Sequence, residues 1–310
     1  MKNSISVVIP VYNSGLILSS LVGRLIPALK KISDTFEILL VNDGSYDNSW
    51  QIVSELTKKS RKIIGIDLMR NYGQHNALLC GIRTAKNDIV ITMDDDLQHP
   101  PEEIHKLVEK LLEGFDVVYG IPLKQVHEPW RNFFSWFTKT VLSKMLGIKG
   151  IKTISAFRAI KTDLRKAFIN FDSPNILIDA LLTWGTNNFG TVEVNEDKRS
   201  AGRSNYTFIK LFQMAMLVLT GFSTIPLRIA SAIGFFFTLF GGGVLIYVII
   251  RAVQEGSIPG FPFLASIISI FSGVQLFTLG IFGEYLARIF NRSMDHPAYV
   301  IGKTTTRLSK

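Results

Sequence analysis

The alternation of strand-like and helix-like segments at the start of the chain restricts its fold more than any other feature. Mainly apolar runs begin near residues 5, 36, 63 and 88, and in the first, residues 5–11, apolar residues follow one another rather than alternate with polar ones, as in a strand buried on both faces. Helical stretches separate these runs, so strand and helix alternate four times within the first hundred residues. This pattern predicts an α/β domain with a doubly wound, mainly parallel sheet.

A polar cluster follows each of these predicted strands. The clusters are Tyr12-Asn13, Asn42-Asp43-Gly44-Ser45, Arg70-Asn71-Tyr72-Gly73 and Asp94-Asp95-Asp96. Loops are usually polar, so each cluster alone is ordinary, but ligands of such sheets bind beyond the carboxyl ends of the strands. Their shared position therefore predicts one binding site. A dinucleotide site is disfavoured, because no G-x-G-x-x-G follows the first strand.

The three consecutive aspartates, Asp94, Asp95 and Asp96, need a counter-charge because neighbouring carboxylates repel one another. A divalent cation held by oxygen ligands supplies it well, and Mg²⁺ or Mn²⁺ keeps coordination positions for substrate phosphates. The triplet therefore suggests a nucleoside diphosphate as a ligand. A solvated acidic turn is the alternative, and the triplet alone does not decide between them.

Net charge and cysteine content restrict which classes of partner and which cellular compartment fit this chain. The net charge of +9 suits phosphorylated substrates, anionic lipid or nucleic acid. Nucleic acid is disfavoured, because no basic helix or basic patch interleaved with aromatic residues recurs, and we expect no such partner. The single cysteine, Cys80, excludes an internal disulfide framework and fits a reducing compartment.

Two apolar stretches near the C-terminus predict transmembrane helices. Residues 229–250 hold no charged side chain and, at about 1.5 Å per residue, form a helix long enough to cross a bilayer. Residues 263–283 provide a second span. Basic residues flank the pair, whereas the hairpin between them has only Arg251. By the positive-inside rule we expect a multi-pass protein of the cell (inner or plasma) membrane with both termini in the cytoplasm.

These boundaries predict four parts. They are a cytoplasmic domain at residues 1–206, an interfacial amphipathic helix at 207–228, two transmembrane helices with a short hairpin at 229–287, and a cytoplasmic tail at 288–310. A basic loop, including Lys198, Arg199 and Arg203, closes the first part and suits phosphate or an anionic headgroup. A solvated loop is the alternative reading of these basic residues.

Several motifs together resemble the family 2 glycosyltransferases with the GT-A fold, a Rossmann-like nucleotide-sugar domain. The resemblance is to the polyprenyl-phosphate branch, which includes dolichyl-phosphate mannose synthases and bacterial undecaprenyl-phosphate sugar transferases, and it covers nearly the whole chain. The motifs are the four clusters above, with Pro10-Val11 before the first and Leu97-Gln98-His99-Pro100-Pro101 after the last, then Phe157-Arg158-Ala159, Gly202-Arg203-Ser204-Asn205-Tyr206, Pro226-Leu227-Arg228 and Gly283-Glu284-Tyr285-Leu286-Ala287-Arg288.

The resemblance implies a metal-dependent, inverting transfer of one sugar from a nucleotide sugar to a polyprenyl phosphate at the cytoplasmic face. By analogy the donor is UDP-linked, the metal is Mg²⁺ or Mn²⁺, and a membrane homo-oligomer fits the family. The family's metal residues correspond to Asp94, Asp96 and Gln98. The residues implied for the nucleotide are Pro10, Tyr12, Asn13, Asp43, Arg70 and Asp95. Those implied for the diphosphate and the lipid phosphate are Arg158, Lys198, Arg199 and Arg203, and Asp94, Asp96 and Arg158 are the expected catalytic residues.

One departure from the family concerns the general base. Many members carry an aspartate beside the F-R motif, but residues 150–158 contain no carboxylate. A phosphomonoester with a second pKa near ~6 is already largely dianionic, so we expect a nucleophile activated by placement. Two alternatives remain open. A processive polysaccharide synthase is disfavoured by the absence of Q-x-x-R-W and of further spans, and a non-catalytic membrane protein with the same fold is the other.

Overall fold

The computed structural model describes residues 3–123, 154–173, 176–197, 225–255, 260–294 and 296–305. The chain forms two compact units. One combines Met1–Tyr206 with Asp295–Lys310, and the other is Thr207–Met294. The first unit therefore takes in both ends of the chain.

A single sheet organises the first unit. Its strands in the described residues are β1 (Ile5–Val11), β2 (Phe36–Asn42), β3 (Ile63–Leu68), β4 (Ile89–Thr92), β5 (Val117–Pro122), β6 (Arg158–Lys161), β7 (Phe189–Val194) and β8 (Ile301–Thr304). They lie in the order β7-β5-β6-β4-β1-β2-β3-β8. Strands β4, β1, β2 and β3 are parallel, as is β5 with β7, whereas β6 and β8 pair antiparallel with their neighbours. The predicted mainly parallel α/β sheet is confirmed.

Helices cover both faces of this sheet. They are α1 (Gly15–Ile32), α2 (Ser49–Lys59), α3 (Gln74–Thr84), α4 (Ile104–Leu112) and α5 (Ile178–Gly185). Successive side chains of a strand point to opposite faces, and β1 shows this directly: Val7 and Ile9 belong to one buried cluster and Val8 to the other. All of β1 is buried, which explains why its sequence is apolar except for Ser6.

Two long apolar helices form the described part of the second unit, α6 (Ile225–Glu255) and α7 (Phe261–Ser293). Both are long and apolar enough to cross a membrane, and their most apolar stretches are not buried. They pack on each other where Gly241 meets Phe271, since a Cβ on this glycine would lie 2.8 Å from the Phe271 ring. The predicted spans at 229–250 and 263–283 lie within these helices. Of the predicted interfacial helix at 207–228, residues 207–224 lie outside the described residues.

Strand β8 was not foreseen by the sequence analysis. It lies in the segment 288–310, for which a tail is predicted, yet its residues pair with β3 at the edge of the sheet. Four residues give too short a pattern to identify a strand, and the pairing partner lies more than two hundred positions earlier.

Candidate active site

The four polar clusters meet at one cavity of about 230 Å³ at the carboxyl ends of the parallel strands. Its lining residues are Pro10, Val11, Tyr12, Asp43, Asn71, Gly73, Gln74, Asp94, Asp95 and Asp96. Each cluster follows a different strand, so only the parallel sheet brings these residues together. A larger cavity of about 730 Å³ lies between α1 and α4 and includes none of the predicted site residues.

The acidic turn after β4 forms one wall of the cavity. The backbone nitrogen of Tyr12 donates to Asp95 Oδ2 at 3.3 Å, and the nitrogen of Gln98 donates to Asp96 Oδ1 at 3.0 Å. The pKa of Asp95 is raised to about 6, chiefly by burial and also by the charges of Asp94 and Asp96, while hydrogen bonds from Ser14 and Tyr12 oppose the shift. The free protein therefore has a crowded carboxylate group that a cation would relieve.

The same wall fits a divalent cation whose coordination shell is completed by substrate oxygens. Asp94, Asp95 and Asp96 all line the cavity, and Gln74 Nε2 donates to Asp94 Oδ1 at 2.6 Å. Among the described residues, no group of three or more His, Cys, Asp or Glu side chains is arranged as a metal cage. A few hard carboxylate oxygens with positions left for phosphate oxygens is the arrangement that Mg²⁺ and Mn²⁺ accept. Gln98 does not line the cavity, and its metal role stays a prediction.

Asp43, just after β2, forms a second wall of the cavity with the loop that follows β3. It is almost fully buried and accepts hydrogen bonds from the backbone nitrogens of Tyr72 at 2.7 Å and Gly73 at 2.9 Å. Burial raises the pKa of Asp43, although these two bonds and the charge of Arg70 oppose the shift. Gly44 has a φ of 64°, and a Cβ there would lie 2.5 Å from the nitrogen of Asn71, so this turn requires glycine.

Two residues predicted for the nucleotide flank the cavity without lining it. Asn13 accepts a hydrogen bond from the nitrogen of Tyr46 at 2.8 Å, and the guanidinium of Arg70 lies 4.3 Å from the ring centre of Tyr72. Tyr12, by contrast, does line the cavity and is 44% exposed. Roles of Asn13 and Arg70 in nucleotide binding stay predictions.

Arg158 occupies a different environment from the one that the resemblance implies. It is 2% exposed and forms a buried ion pair with Asp179 of α5. Its Nε donates to Thr92 Oγ1 at 3.0 Å, two residues before Asp94, and the Tyr119 hydroxyl donates to Asp179 at 2.9 Å. In this arrangement the guanidinium contacts protein groups, and its contact with a phosphate stays a prediction.

Sequence reasoning missed Gln74 and Asp179. Gln74 begins α3 immediately after the third polar cluster, and its hydrogen bond to Asp94 could be found only from the fold. Asp179 supplies the carboxylate beside Arg158 that residues 150–158 lack. A signal for it existed, because a lone acid inside the apolar run 176–182 suggests a buried partner.

The residues that precede the basic loop, Glu196 and Asp197, lie next to the acidic turn. The nitrogen of Asp197 donates to the carbonyl oxygen of Gln98 at 2.9 Å, and Glu196 Oε1 lies 3.9 Å from His99 Nε2. Lys198, Arg199 and Arg203 themselves lie outside the described residues, so their roles stay predictions. The chain nevertheless enters that loop from a position fixed against the turn.

Comparison with known proteins adds three findings. Residues 6–169 match the family described as Glycosyl transferase family 2. Two enzymes called undecaprenyl-phosphate 4-deoxy-4-formamido-L-arabinose transferase are similar along nearly the whole chain: one from Shewanella sediminis is 33% identical over 96% of this chain and 91% of its own length, and one from Proteus mirabilis is 35% identical over 97% and 94%. A crystal structure of glucosyl-3-phosphoglycerate synthase from Mycobacterium tuberculosis, with Mn²⁺, UDP-glucose and phosphoglyceric acid, has a TM-score of 0.51 at 18% identity, covering 70% of this chain and 78% of that one. This last likeness concerns the fold.

Proposed function

Since the chain belongs to glycosyl transferase family 2, we propose that it transfers one sugar from a nucleotide sugar to undecaprenyl phosphate, with inversion at the anomeric carbon. The observation that carries this function is the convergence of Tyr12, Asp43 and the three aspartates on one cavity at the strand ends. Relatives named for that acceptor match almost the entire chain. This near full-length match favours the transferase over a processive synthase or a non-catalytic protein.

The cavity is proposed as the donor end of the site. Tyr12 and Asp43 bind the nucleoside, with Pro10, Asn13 and Arg70 beside them. Asp94 and Asp96 hold Mg²⁺ or Mn²⁺, with Gln98, and Asp95 faces the ribose or the sugar. When bound, the metal neutralises the diphosphate as it leaves. The fixed positions of these carboxylates in the turn after β4 keep that charge stabilisation ready before the reaction begins.

The acceptor end is proposed to lie at the basic loop. Lys198, Arg199 and Arg203 bind the lipid phosphate, and the hydrogen bond between Asp197 and Gln98 supports this because it holds the residue before the loop at the acidic turn. The phosphate is already ionised near neutral pH, so orientation rather than proton removal activates it. Arg158 joins in phosphate binding only if its ion pair with Asp179 opens.

The remaining parts of the proposal concern donor, location and assembly. The donor is UDP-linked, and the sugar in the relatives' names, 4-deoxy-4-formamido-L-arabinose, is the first candidate. Helices α6 and α7 span the cell membrane with the catalytic unit and both termini in the cytoplasm, which agrees with the distribution of basic residues. Assembly as a homo-oligomer in the membrane is part of the proposal.

A donor panel tests this function. Purified full-length protein in detergent is incubated with undecaprenyl phosphate, Mn²⁺ or Mg²⁺, and a set of UDP-, GDP- and dTDP-sugars, and lipid-linked sugar is measured by mass spectrometry. We expect one UDP-sugar to give product and EDTA to stop it. Binding of nucleotide without lipid-linked sugar from any donor would instead support the non-catalytic reading.

The acidic turn gives a sharper prediction. Asp96→Asn removes one charged ligand of the proposed metal ion, which neutralises the departing diphosphate. We therefore expect turnover to fall by on the order of 10²–10³ while membrane insertion is unchanged. Asp163→Asn is the matched control, since Asp163 is a highly exposed carboxylate paired with Lys166. Wild-type activity of Asp96→Asn would refute the metal-site assignment.

A further inference from the structure

The last described residues of the chain complete the edge of the catalytic sheet. Strand β8 pairs antiparallel with β3, and the pairing is held at both ends. At one end Thr305 and Gly65 exchange hydrogen bonds of 3.0 and 2.9 Å. At the other end the nitrogen of Met69 donates to the carbonyl oxygen of Val300 at 2.9 Å. Without β8, strand β3 would present an unpaired edge.

The residues before β8 are part of the core. Ala298 is fully buried, and its nitrogen donates to Asp172 Oδ1 at 2.8 Å. Tyr299 packs against the buried cluster on the α3 face of the sheet, with the guanidinium of Arg83 at 5.8 Å from its ring centre. Because buried contacts and hydrogen bonds fix residues 298–305, this segment has one defined place on the first unit.

Strand β3 leads directly into the third polar cluster. Met69, held by Val300, is followed by Arg70 to Gly73, of which Asn71 and Gly73 line the cavity. The far end of this short loop is held by Asp43, which accepts from the nitrogens of Tyr72 and Gly73. The loop therefore has two anchors, one from the turn after β2 and one from the C-terminal segment.

We infer that β8 is a positioning element for the donor cavity, which holds the loop 70–73 against Asp43 through the hydrogen bond between Val300, just before the strand, and Met69. The inference rests on the proposed function, because it assigns that loop to nucleotide binding. Since β8 follows α7 in the sequence, the donor cavity takes its final form only when the chain beyond the second apolar helix has folded onto the sheet. A chain that ends before β8 would carry every donor motif and still bind the donor weakly.

Two shortened chains test this inference. One ends at Asp295 and lacks β8, and the other ends at Thr305 and keeps it. By hydrogen exchange without nucleotide, we expect the amides of Tyr72 and Gly73 to exchange at least about tenfold faster in the first chain, with the amide of Val192 in β7 unchanged. Equal exchange at Tyr72 and Gly73 in the two chains would overturn the inference.

Binding of UDP provides the functional readout. We expect the dissociation constant of the chain ending at Asp295 to rise at least about tenfold, which corresponds to about 1.4 kcal/mol. Leu111→Ala, on the buried face of α4, serves as the control: it lowers the melting temperature but leaves UDP affinity unchanged. Unchanged affinity in the shortened chain refutes the positioning role. Failure of the full-length chain to bind UDP refutes the proposed donor, and the exchange data then decide on β8.

The full-length chain gives a test that survives misfolding of the shortened one. UDP should slow exchange at Met69 and in residues 301–304 together with Tyr72 and Gly73, because the loop and β8 form one hydrogen-bonded unit. Slowing at Tyr72 and Gly73 with no change at Met69 and in β8 would contradict the inference.

Discussion

At the scale of single residues, the buried charge of Arg158 is the most demanding feature of the molecule. Its guanidinium is 2% exposed, and Asp179, Thr92 and the hydroxyl of Tyr119 form a connected polar group around it. A buried ion pair contributes little net stability compared with apolar residues of the same size, but an unpaired buried charge is costly. The pair therefore fixes the relative position of β4, β6 and α5 directly below the acidic turn.

Removing the carboxylate of Asp179 should reveal how much an unpaired, buried Arg158 destabilises the protein. We expect Asp179→Ala to lower the free energy of unfolding by about 3–5 kcal/mol, because Arg158 stays buried without its partner. Replacing both, as Asp179→Leu with Arg158→Met, should lose less stability than Asp179→Ala alone. Chemical denaturation measures both variants. A double variant less stable than the single one would contradict this reading of the pair.

The thiol of Cys80 gives a prediction with a pH dependence. Burial raises the pKa of Cys80 to about 12, and only the thiolate attacks alkylating reagents. At pH 8 the thiolate fraction is on the order of 10⁻⁴, so we expect no modification of the folded protein by maleimide and complete modification after unfolding. Reactivity should grow as the pH rises toward 12. Rapid labelling of the folded protein at pH 8 would show that Cys80 is accessible.

At the scale of elements, the contact between α3 and β1 decides how Gln74 reaches Asp94. A Cβ on Gly81 would overlap Cγ1 of Val8, which is fully buried in β1 and cannot move aside. Glycine thus lets the helix lie close to the sheet, and α3 begins at the cavity with Gln74. The helix carries a residue of poor helix propensity in order to pack closely.

Adding a methyl group at Gly81 should destabilise the protein by more than the improved helix propensity stabilises it. We expect Gly81→Ala to lower stability by about 1–3 kcal/mol through overpacking, and Val8→Ala in the same protein to restore part of the loss. Gly23→Ala in α1 is the matched control, because nothing lies within 4 Å of its added Cβ, and it should stabilise the protein by up to about 1 kcal/mol. Thermal unfolding compares the three. Equal effects of the two glycine substitutions would argue against the close contact.

At the scale of the whole molecule, the chain combines a nucleotide-sugar type of domain with two apolar helices and then returns to the domain with β8. The catalytic unit is therefore built from residues that precede α6 in the sequence and residues that follow α7. If both helices cross the membrane, as proposed, the N-terminal part and β8 must lie on the same side. The distribution of basic residues favours the cytoplasm as that side.

Cysteine labelling tests this topology in a favourable background, since Cys80 is the single native cysteine and is buried. In intact cells, we expect an impermeant maleimide to label Ser257→Cys in the hairpin and to leave Ser309→Cys, near the C-terminus, unlabelled until the membrane is opened. The unmodified protein should give no signal. Labelling of Ser309→Cys from outside would reverse the proposed orientation.

Much of the fold and half of the site follow from the sequence because they depend on local pattern. Mainly apolar runs and helical segments identify β1 to β4 and their connections, and in a parallel sheet the residues after each strand must meet at one edge. Tyr12, Asp43 and the acidic turn are found in this way, and they do line the cavity. The apolar helices α6 and α7 are likewise determined by composition and length.

Only the tertiary structure decided the contacts between distant segments. The pairing of Arg158 with Asp179, the hydrogen bond from Gln74 to Asp94 and the addition of β8 to β3 join residues whose local patterns carry no record of one another. Each depends on which surfaces meet when the helices pack on the sheet and the chain closes its long loops. The sequence by itself therefore determined the parallel strands β1 to β4 and the edge where ligands bind, whereas packing decided which charge is buried, which amide supports the acidic turn and which strand lies beside β3 at the donor loop.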